Sequence, residues 1–228
     1  MKKRLIAIEG SDGAGKETQS DLLKEWFASK GLKVGSVSFP RYKQTAGGWF
    51  LWEALKGDNK DAYAFSTVEP YAASLPYTAD RRESLPFLKQ EIEANDVYIF
   101  DRYVESNLLH QGGKFSTHEE RDVYGQWLYN LEYGMLGLPV PHVVVYLRIP
   151  FWLSQARAKR RAEETGGQLD AVERDSDYVR KGHEGGVFYA EKFNWEIVDC
   201  LEEKRELSRE EIHAKVVAQL TRRLDLKF

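Results

Sequence analysis

The sequence predicts an α/β protein in which a doubly wound, parallel five-stranded sheet is flanked by helices. The first observation is that short, nearly continuous apolar runs recur at residues 5–8, 34–39, 97–100, 143–147 and 197–200. Such runs are typical of strands that are buried on both faces of a parallel sheet. The second observation is that helical patterns separate these runs, and this alternation favours a doubly wound sheet. Ligands of such sheets bind beyond the carboxyl ends of the strands.

Local signals set the expected ends and bends of the helices. Gly31 supplies a stop after the first helical pattern. Near the end of the chain, Ser208 and Glu211 have the spacing of a capping box. Pro76 lies inside a helical pattern and is expected to bend it. The polar, glycine-containing stretch 163–168 predicts a mobile loop.

Length and composition predict one domain that spans residues 1–228. The chain has 33 Lys and Arg against 36 Asp and Glu, so the basic surface that nucleic acid requires is absent overall. No apolar stretch approaches the ~18 residues that a membrane helix needs, so we expect a cytoplasmic protein with no membrane partner. Cys200 is the only cysteine, and we interpret it as a small buried side chain rather than a catalytic thiol.

A glycine-rich segment follows the first strand and opens the first helix. That context identifies Gly10-Ser11-Asp12-Gly13-Ala14-Gly15-Lys16 as a phosphate-binding P-loop. The glycines allow backbone N–H groups to turn toward phosphate oxygens, and the helix adds the positive end of its dipole. A tight turn without a ligand would need neither three glycines at this spacing nor the lysine. The residues expected to bind a nucleoside triphosphate are Gly10, Ser11, Asp12, Gly13, Ala14, Gly15, Lys16, Glu17 and Thr18.

Glu17 departs from the usual motif, in which Ser or Thr follows the lysine and holds Mg²⁺. This departure argues against a switch GTPase or a motor ATPase. A carboxylate beside a triphosphate repels it, and Mg²⁺ readily keeps several waters. We therefore expect Glu17 to point to solvent or to contact the metal through water.

Four further segments carry residues that suit a second, phosphorylated substrate. Two of them follow strands and meet the P-loop at one edge of a doubly wound sheet. The segments are Phe39-Pro40-Arg41-Tyr42; Tyr77-Thr78-Ala79-Asp80-Arg81-Arg82; Asp101-Arg102-Tyr103 with Ser106, Asn107, His110 and Gln111; and the basic run from Arg157 to Arg161, followed by Asp170 and Glu173. Each segment alone also has a plain structural explanation, such as an ion pair at a strand end or a solvated helix face.

Taken in this order, the P-loop and the four segments resemble those of bacterial thymidylate kinases, from Leu5 to about Cys200. The resemblance implies a P-loop kinase fold, a homodimer, and the reaction ATP + dTMP → ADP + dTDP with Mg²⁺ as cofactor. It also implies a lid at about residues 154–175.

The resemblance also implies a role for individual residues. Asp12 lies between the two substrates and, together with Asp101, supports Mg²⁺ directly or through water. Tyr77 stacks on thymine, and Arg81 contacts a thymine carbonyl. The residues implied to bind dTMP are Phe39, Arg41, Tyr42, Tyr77, Arg81, Arg102, Ser106, Asn107, His110 and Gln111.

Part of the positive charge at the transferring phosphoryl group is expected to come from the lid. The acceptor is a phosphate dianion, so no general base is required, and catalysis depends on position and charge. The P-loop contains no arginine, whereas Arg157 and Arg161 lie four apart and project from one face of a helix. The residues expected to be catalytic are Asp12, Lys16, Arg102, Arg157 and Arg161.

Three other functions stay open from the sequence. The first is a kinase for another pyrimidine nucleotide such as dUMP or dCMP, or for a deoxynucleoside. The second is a non-catalytic P-loop protein that binds nucleotide, although intact Asp12, Lys16 and Arg102 argue against it. The third is a nucleic-acid-dependent ATPase, which the net charge of −3 and Glu17 disfavour. The aromatic residues Trp49, Phe50 and Trp52 are interpreted as core or dimer contacts.

Overall fold

The computed structural model describes residues 3–56, 63–166, 169 and 173–226. The strands are β1 (Arg4–Gly10), β2 (Val34–Ser38), β3 (Val97–Asp101), β4 (Val143–Arg148), β5 (Glu196–Asp199), β6 (Leu201–Glu202) and β7 (Arg205–Glu206). The α-helices are α1 (Lys16–Ser29), α2 (Ala46–Leu55), α3 (Pro70–Glu83), α4 (Leu85–Ala94), α5 (Glu105–His110), α6 (His118–Tyr129), α7 (Phe151–Thr165), α8 (Ser176–Lys192) and α9 (Arg209–Arg223). A 3-10 turn (Gly112–Lys114) follows α5, and a π-helix (Asn130–Met135) extends α6.

The predicted parallel five-stranded sheet is confirmed. The strand order is β2-β3-β1-β4-β5, and every neighbouring pair is parallel. In this register Ile8 lies beside Asp101, Ser38 also lies beside Asp101, and Gly10 lies beside Leu147. The carboxyl ends of the three strands β1, β2 and β3 therefore meet at one edge, which is where the ligands of doubly wound sheets bind.

Apolar side chains pack on both faces of the sheet. On one face, Leu23 and Phe27 of α1 belong to the same buried cluster as Val216 of α9. On the other face, Phe100 of β3 and Tyr189 of α8 belong to a second cluster. Because β1 is covered on both sides, its side chains form a continuous apolar run in the sequence rather than an alternating one.

The capping box at the start of α9 is confirmed, since the Ser208 side chain accepts the Glu211 N–H and the Glu211 side chain accepts the Ser208 N–H. The loop predicted at 163–168 is wrong in part, because α7 continues to Thr165 and ends at Gly166, which has a φ of 64°. A glycine adopts this left-handed conformation without steric cost, and it ends helices for that reason. Residues 167–168 lie outside the described residues.

Two further elements differ from a simple interpretation of the sequence. Helix α3 is continuous through Pro76, so the expected bend does not divide it. The antiparallel pair β6–β7 was not predicted, because strands of two residues carry no periodicity.

The single cysteine follows β5 and is fully buried. Burial raises the pKa of the Cys200 thiol to about 12, which agrees with its interpretation as a small buried side chain rather than a reactive thiolate. Within the described ranges, no helix combines the length and the apolar character that crossing a membrane requires.

Candidate active site

The P-loop connects β1 to α1 and folds around its own lysine. Gly10, Gly13 and Gly15 have φ values of 154°, 79° and 92°, which L side chains rarely adopt. A Cβ at Gly10 would also lie only 2.7 Å from the Leu147 carbonyl oxygen. Lys16 Nζ donates to the carbonyl oxygens of Gly10 (2.8 Å) and Ser11 (2.9 Å), so the ammonium group is held inside the loop.

Three charged groups meet where the P-loop faces the end of β3. The Arg102 guanidinium contacts the Asp12 carboxylate, and Lys16 Nζ lies 3.7 Å from Asp12 Oδ1. Burial opposes ionisation of Asp12, but Arg102 and Lys16 outweigh it and hold the pKa of this carboxyl well below its ordinary value. Burial first, and then the charge of Arg102, lowers the pKa of Lys16 to about 8. The site therefore concentrates positive charge around one carboxylate, as an anion-binding site requires.

Arg102 is positioned by an unusual backbone conformation. Its φ is 65°, a left-handed value that costs a residue with a side chain roughly 1–2 kcal/mol. Its N–H donates to the Ile8 carbonyl oxygen (3.1 Å), which attaches the turn after β3 to the central strand. Strained backbone of this kind persists only where the surroundings hold it, and it is common at functional sites.

Glu9, which was not selected from the sequence, stabilises this turn through two hydrogen bonds. It is completely buried, and its carboxylate accepts the Tyr103 N–H on Oε1 (2.7 Å) and the Ser106 O–H on Oε2 (2.7 Å). Burial, followed by the nearby Glu105 carboxyl, raises the pKa of Glu9 to about 7. The signal available in the sequence was a carboxylate inside an otherwise apolar strand, because buried charge is rare and is usually paired or functional.

A single cleft of about 1330 Å³ brings together most of the residues that the sequence selects. These lining residues are Asp12, Gly13, Ala14, Gly15, Lys16, Glu17, Thr18, Phe39, Arg41, Tyr42, Tyr77, Arg81, Asp101, Arg102, Ser106, Asn107, His110, Gln111, Arg157 and Arg161. Of the selected P-loop residues, only Gly10 and Ser11 do not line the cleft, and both contribute their carbonyl oxygens to Lys16. Glu17 and Thr18 line the cleft with exposed side chains.

Arg81 lines the cleft and is only 2% exposed, so it is not part of a solvated helix face. Its Nε and Nη2 donate to the two Glu132 oxygens (2.7 and 2.5 Å), and its Nη1 donates to the Tyr103 carbonyl oxygen (3.2 Å). The guanidinium has five N–H groups, so two remain for a ligand. Glu132 was missed from the sequence because it lies 51 positions further along the chain.

Arg41 and Tyr77 are also fixed by contacts within the protein. Arg41 Nη1 donates to Ser84 Oγ (3.1 Å), and the Arg41 guanidinium lies 4.1 Å from the centre of the Phe87 ring. The Tyr77 and Phe65 rings pack with their centres 5.6 Å apart. Both side chains thus reach the cleft from a pre-organised position, which reduces the entropy lost on binding.

His110 forms part of the aromatic wall of the cleft. Burial is the main cause that lowers its pKa to about 4, so the ring is neutral near pH 7. The ring stacks on Tyr178, with ring centres 6.0 Å apart and planes at 12°. Gln111 Nε2 donates to the Tyr178 hydroxyl (3.1 Å).

Helix α7 begins directly against the P-loop. Ser154 Oγ donates to the Asp12 carbonyl oxygen, and Arg157 Nη1 donates to the Gly13 carbonyl oxygen (3.1 Å). Arg157 Nη2 also lies 2.9 Å from Glu206 Oε2, a residue of β7 that the sequence did not indicate. Arg161, one turn further on, is paired with Glu173. The two arginines therefore differ, because only Arg157 contacts the phosphate loop. Asp170 lies outside the described residues.

Two carboxylates could hold a divalent cation at this edge of the sheet. Asp101 accepts the Ser38 hydroxyl on Oδ2 (3.1 Å), whereas its buried Oδ1 has no hydrogen-bond partner among the described residues. Asp12 lies across the turn, beside Arg102. Carboxylate oxygens are the ligands that Mg²⁺ takes, usually one or two together with waters. The two residues fit such a site, and in the described part of the chain no larger cluster of His, Cys, Asp or Glu has metal-binding geometry.

Comparison with known proteins agrees with this geometry. The sequence profile described as "Thymidylate kinase" matches residues 8–212. The thymidylate kinase of Mycobacterium tuberculosis is 34% identical over 188 residues, which cover 82% of this chain and 84% of the relative. A probable thymidylate kinase of Thermococcus onnurineus is 31% identical over 216 residues, covering 93% and 95%. The chain belongs to the thymidylate kinase family.

Solved structures of thymidylate kinases share the fold. The enzyme of Candida albicans superposes with a TM-score of 0.69 at 20% identity, over 98% of this chain and 93% of that structure. The enzyme of Ehrlichia chaffeensis gives a TM-score of 0.63 at 19% identity, over 96% and 100%. At these identities the structural similarity establishes the fold alone. The P-loop kinase fold and the phosphotransferase class expected from the sequence are thus confirmed, together with ATP and dTMP as the substrates of the family.

Proposed function

We propose that the cleft transfers the γ-phosphoryl group of ATP to the phosphate of dTMP, giving ADP and dTDP. The observation that carries this proposal is the meeting of Lys16, Asp12 and Arg102 at one edge of the sheet. The P-loop on one side suits the triphosphate, and Arg102 on the other side suits a second phosphate. Family membership supports the choice of thymidylate as the acceptor.

The donor nucleotide binds along the P-loop, Gly10 to Thr18. Backbone N–H groups and the amino end of α1 surround the phosphates, and Lys16 supplies a point charge. Asp12 and Asp101 would hold Mg²⁺ beside the phosphates, directly or through water, and the ion would neutralise charge on the phosphate oxygens. Glu17 points to solvent or contacts this ion through water.

The acceptor nucleotide binds at the opposite end of the cleft. Arg102 and Tyr42 hold its phosphate, with Arg41 nearby. The remaining side chains form the pocket of the base and sugar, and these are Phe39, Tyr77, Arg81, Ser106, Asn107, His110 and Gln111. Tyr77 presents a ring face for stacking, and Arg81 has two N–H groups that can donate to carbonyl oxygens of the base.

No general base takes part in this mechanism, because the acceptor phosphate already carries lone pairs and negative charge near neutral pH. The barrier comes from bringing two anions together, so fixed positive charge lowers it. Lys16 and Arg102 supply that charge from either side, and Arg157 supplies more from the lid at residues 154–175. Arg161 joins it when the lid rearranges away from Glu173.

The proposal extends to the whole protein: one kinase domain at residues 1–228, located in the cytoplasm and assembled as a homodimer. Exposed apolar side chains support self-association, among them Trp49 and Phe50 of α2, Leu75 of α3 and Val123 of α6. Soluble monomers rarely expose groups of large apolar side chains without a function for them.

A coupled assay of ADP release tests the proposed reaction. The acceptors are dTMP, dUMP, dCMP and UMP, each at the same concentration with ATP and Mg²⁺. We expect dTMP to give the highest kcat/KM. A higher value for dCMP or UMP would instead favour a kinase for another pyrimidine nucleotide, and ATP binding without turnover of any acceptor would favour a non-catalytic role.

A further inference from the structure

Glu9 is completely buried at the end of β1 and does not line the cleft, yet both of its carboxylate oxygens bind the acceptor side of the site. Oε1 accepts the backbone N–H of Tyr103 (2.7 Å), and Oε2 accepts the hydroxyl of Ser106 (2.7 Å). Tyr103 lies in the short segment between β3 and α5, and Ser106 lies in the first turn of α5. The Glu9 carboxylate thus links the central strand β1 by hydrogen bonds to Tyr103 and to the start of α5.

The turn after β3 needs stabilising contacts, because its backbone is strained. It carries Arg102 in a left-handed conformation (φ 65°), and both Arg102 and Ser106 line the cleft. A strained conformation persists only where neighbouring contacts favour it over relaxed alternatives. The bonds from Tyr103 and Ser106 to an ionised carboxylate are charge-assisted, and such bonds are roughly twice as strong as neutral ones.

We propose that Glu9 is a positioning residue whose carboxylate fixes the turn that carries Arg102 and accepts the hydrogen bond of the Ser106 hydroxyl, so that Ser106 faces the acceptor nucleotide only as a hydrogen-bond acceptor. The inference rests on the proposed function, because it assumes that the acceptor nucleotide binds beside this turn.

The chemistry follows from the single proton of a hydroxyl group. When Glu9 is ionised, that proton is shared with Oε2, and only oxygen lone pairs of Ser106 face the cleft. When Glu9 is protonated, its own O–H donates to Ser106 Oγ, and the Ser106 proton is free to turn toward a ligand. A glutamine at position 9 resembles the protonated form, since its carbonyl accepts the Tyr103 N–H and its amide N–H donates to Ser106.

Both forms of Glu9 are accessible near neutral pH. Burial and the Glu105 carboxyl of α5 raise the Glu9 pKa, whereas Ser106, the Tyr103 N–H and Lys16 of α1 lower it, with a result of about 7. The other groups that interact with Glu9 are Arg102 on the turn, Tyr129 on α6 and Tyr146 on β4. All three stay in their ordinary protonation states below pH 9, because the pKa of Arg102 and those of both tyrosines are raised above their usual values.

The first measurement needs no substrate. The ¹H and ¹⁵N shifts of the Tyr103 amide are followed by NMR from pH 5.5 to 9 in the wild-type protein and in Glu9→Gln. We expect a titration with a midpoint near 7 in the wild type that is absent from the variant, in which any remaining shift follows Lys16 near pH 8. A Tyr103 amide that does not titrate in the wild type would overturn the proposal, whether or not the enzyme accepts dTMP.

The second measurement compares kcat/KM for dTMP in the wild type and in Glu9→Gln at saturating ATP and Mg²⁺. The ratio of the two enzymes cancels the titration of the dTMP phosphate itself. We expect a ratio near one at pH 6, rising to about fivefold or more in favour of the wild type at pH 8.5, with KM for ATP unchanged within about twofold. A ratio that is the same at both pH values contradicts the proposal, and a wild type that does not turn over dTMP contradicts the proposed function instead.

A third measurement repeats the comparison of Glu9 with Glu9→Gln in proteins that also carry Ser106→Ala, and so tests whether the Ser106 hydroxyl is needed for the effect on kcat/KM. If Glu9 acts through Ser106, the pH-dependent part of the ratio falls below about twofold when the hydroxyl is absent. If the kcat/KM ratio at pH 8.5 were as large with Ser106→Ala as with Ser106, the Glu9 charge would act on Lys16 or Arg102 alone. That result would rule out the assignment to Ser106.

Discussion

Arg102 is the residue on which the proposed site depends most. Its guanidinium contacts Asp12, its left-handed backbone is fixed by Ile8 and Glu9, and it lies where the P-loop meets the end of β3. A planar guanidinium matches the geometry of a phosphate with two parallel hydrogen bonds, which a lysine cannot reproduce.

We expect Arg102→Ala to lower kcat/KM for dTMP roughly 30-fold or more while the protein stays folded. The reason is that a hydrogen bond to a charged group such as the dTMP phosphate is worth about 1.5–3 kcal/mol. Steady-state kinetics and a thermal melt measure the two effects. Arg82→Ala is the matched control, because Arg82 is exposed and does not line the cleft. Loss of folding without a separate catalytic defect would assign Arg102 to an ion pair that is only structural.

Arg81 also stabilises the fold, in addition to its predicted contact with thymine. It neutralises Glu132, a carboxylate with no solvent exposure. We expect Arg81→Met to destabilise the protein by about 3–5 kcal/mol, because an unpaired buried charge remains. Adding Glu132→Leu removes that charge and should recover most of the free energy of unfolding, measured by urea denaturation. Arg82→Met should change stability by less than about 0.5 kcal/mol. Equal losses in the single and double variants would show that packing, and not charge, sets the cost.

The residues that the sequence identified and those that it missed differ in a physical respect. The P-loop was found because local backbone chemistry fixes its residue types at fixed spacing. The Asp101-Arg102-Tyr103 segment was found from its place after a strand and from the resemblance to bacterial thymidylate kinases. Glu132 and Glu206 were missed because their partners, Arg81 and Arg157, lie 51 and 49 positions away, and only the fold brings them together. Glu9 was not selected from the sequence, although a fully buried carboxylate in an otherwise apolar strand is informative.

At the scale of elements, helix α7 carries Arg157 and the β6–β7 pair supplies the carboxylate that binds it. Arg157 is held between the Gly13 carbonyl and Glu206, whereas Arg161 is paired with Glu173 away from the P-loop. The order of the five main strands could be expected only in part from the sequence, because an apolar run indicates a buried strand but not its neighbours. The β6–β7 pair was beyond prediction at two residues per strand.

Charge reversal in the lid should reduce turnover more than it reduces binding of ATP. We expect Arg157→Glu to lower kcat by at least about tenfold, which corresponds to ~1.4 kcal/mol of barrier. Because Arg161 is paired with Glu173, we expect Arg161→Glu to lower kcat by less than Arg157→Glu does. Initial-rate kinetics with both variants measure kcat and KM separately. Full activity in both variants would show that neither arginine contributes to phosphoryl transfer.

At the scale of the whole molecule, the exposed apolar side chains of α2, α3 and α6 favour a homodimer. The helices α3 and α6 are in contact, since Ser74 Oγ and the Tyr124 hydroxyl lie 2.7 Å apart, and the next residue on α3, Leu75, and the preceding one on α6, Val123, are exposed. The interpretation of Trp49 and Phe50 as core residues does not hold, because both are largely exposed.

Sedimentation velocity tests the assembly. We expect the wild type to sediment as a dimer and the double variant Leu75→Glu, Val123→Glu to sediment as a monomer. An unpaired charge at the centre of an apolar interface is strongly unfavourable. Val140→Glu is the control, since this exposed residue lies in the loop before β4 and outside the three helices. A wild-type monomer at micromolar concentration would refute the proposed dimer.

The most direct test of the central claim is a crystal structure of the complex with dTMP, Mg²⁺ and a non-hydrolysable ATP analogue. The account predicts that the triphosphate follows the P-loop and that the dTMP phosphate contacts Arg102. It further predicts that the two phosphates face each other across Asp12, with the thymine ring against Tyr77. A dTMP phosphate bound away from Arg102, or a triphosphate outside the P-loop, would contradict it.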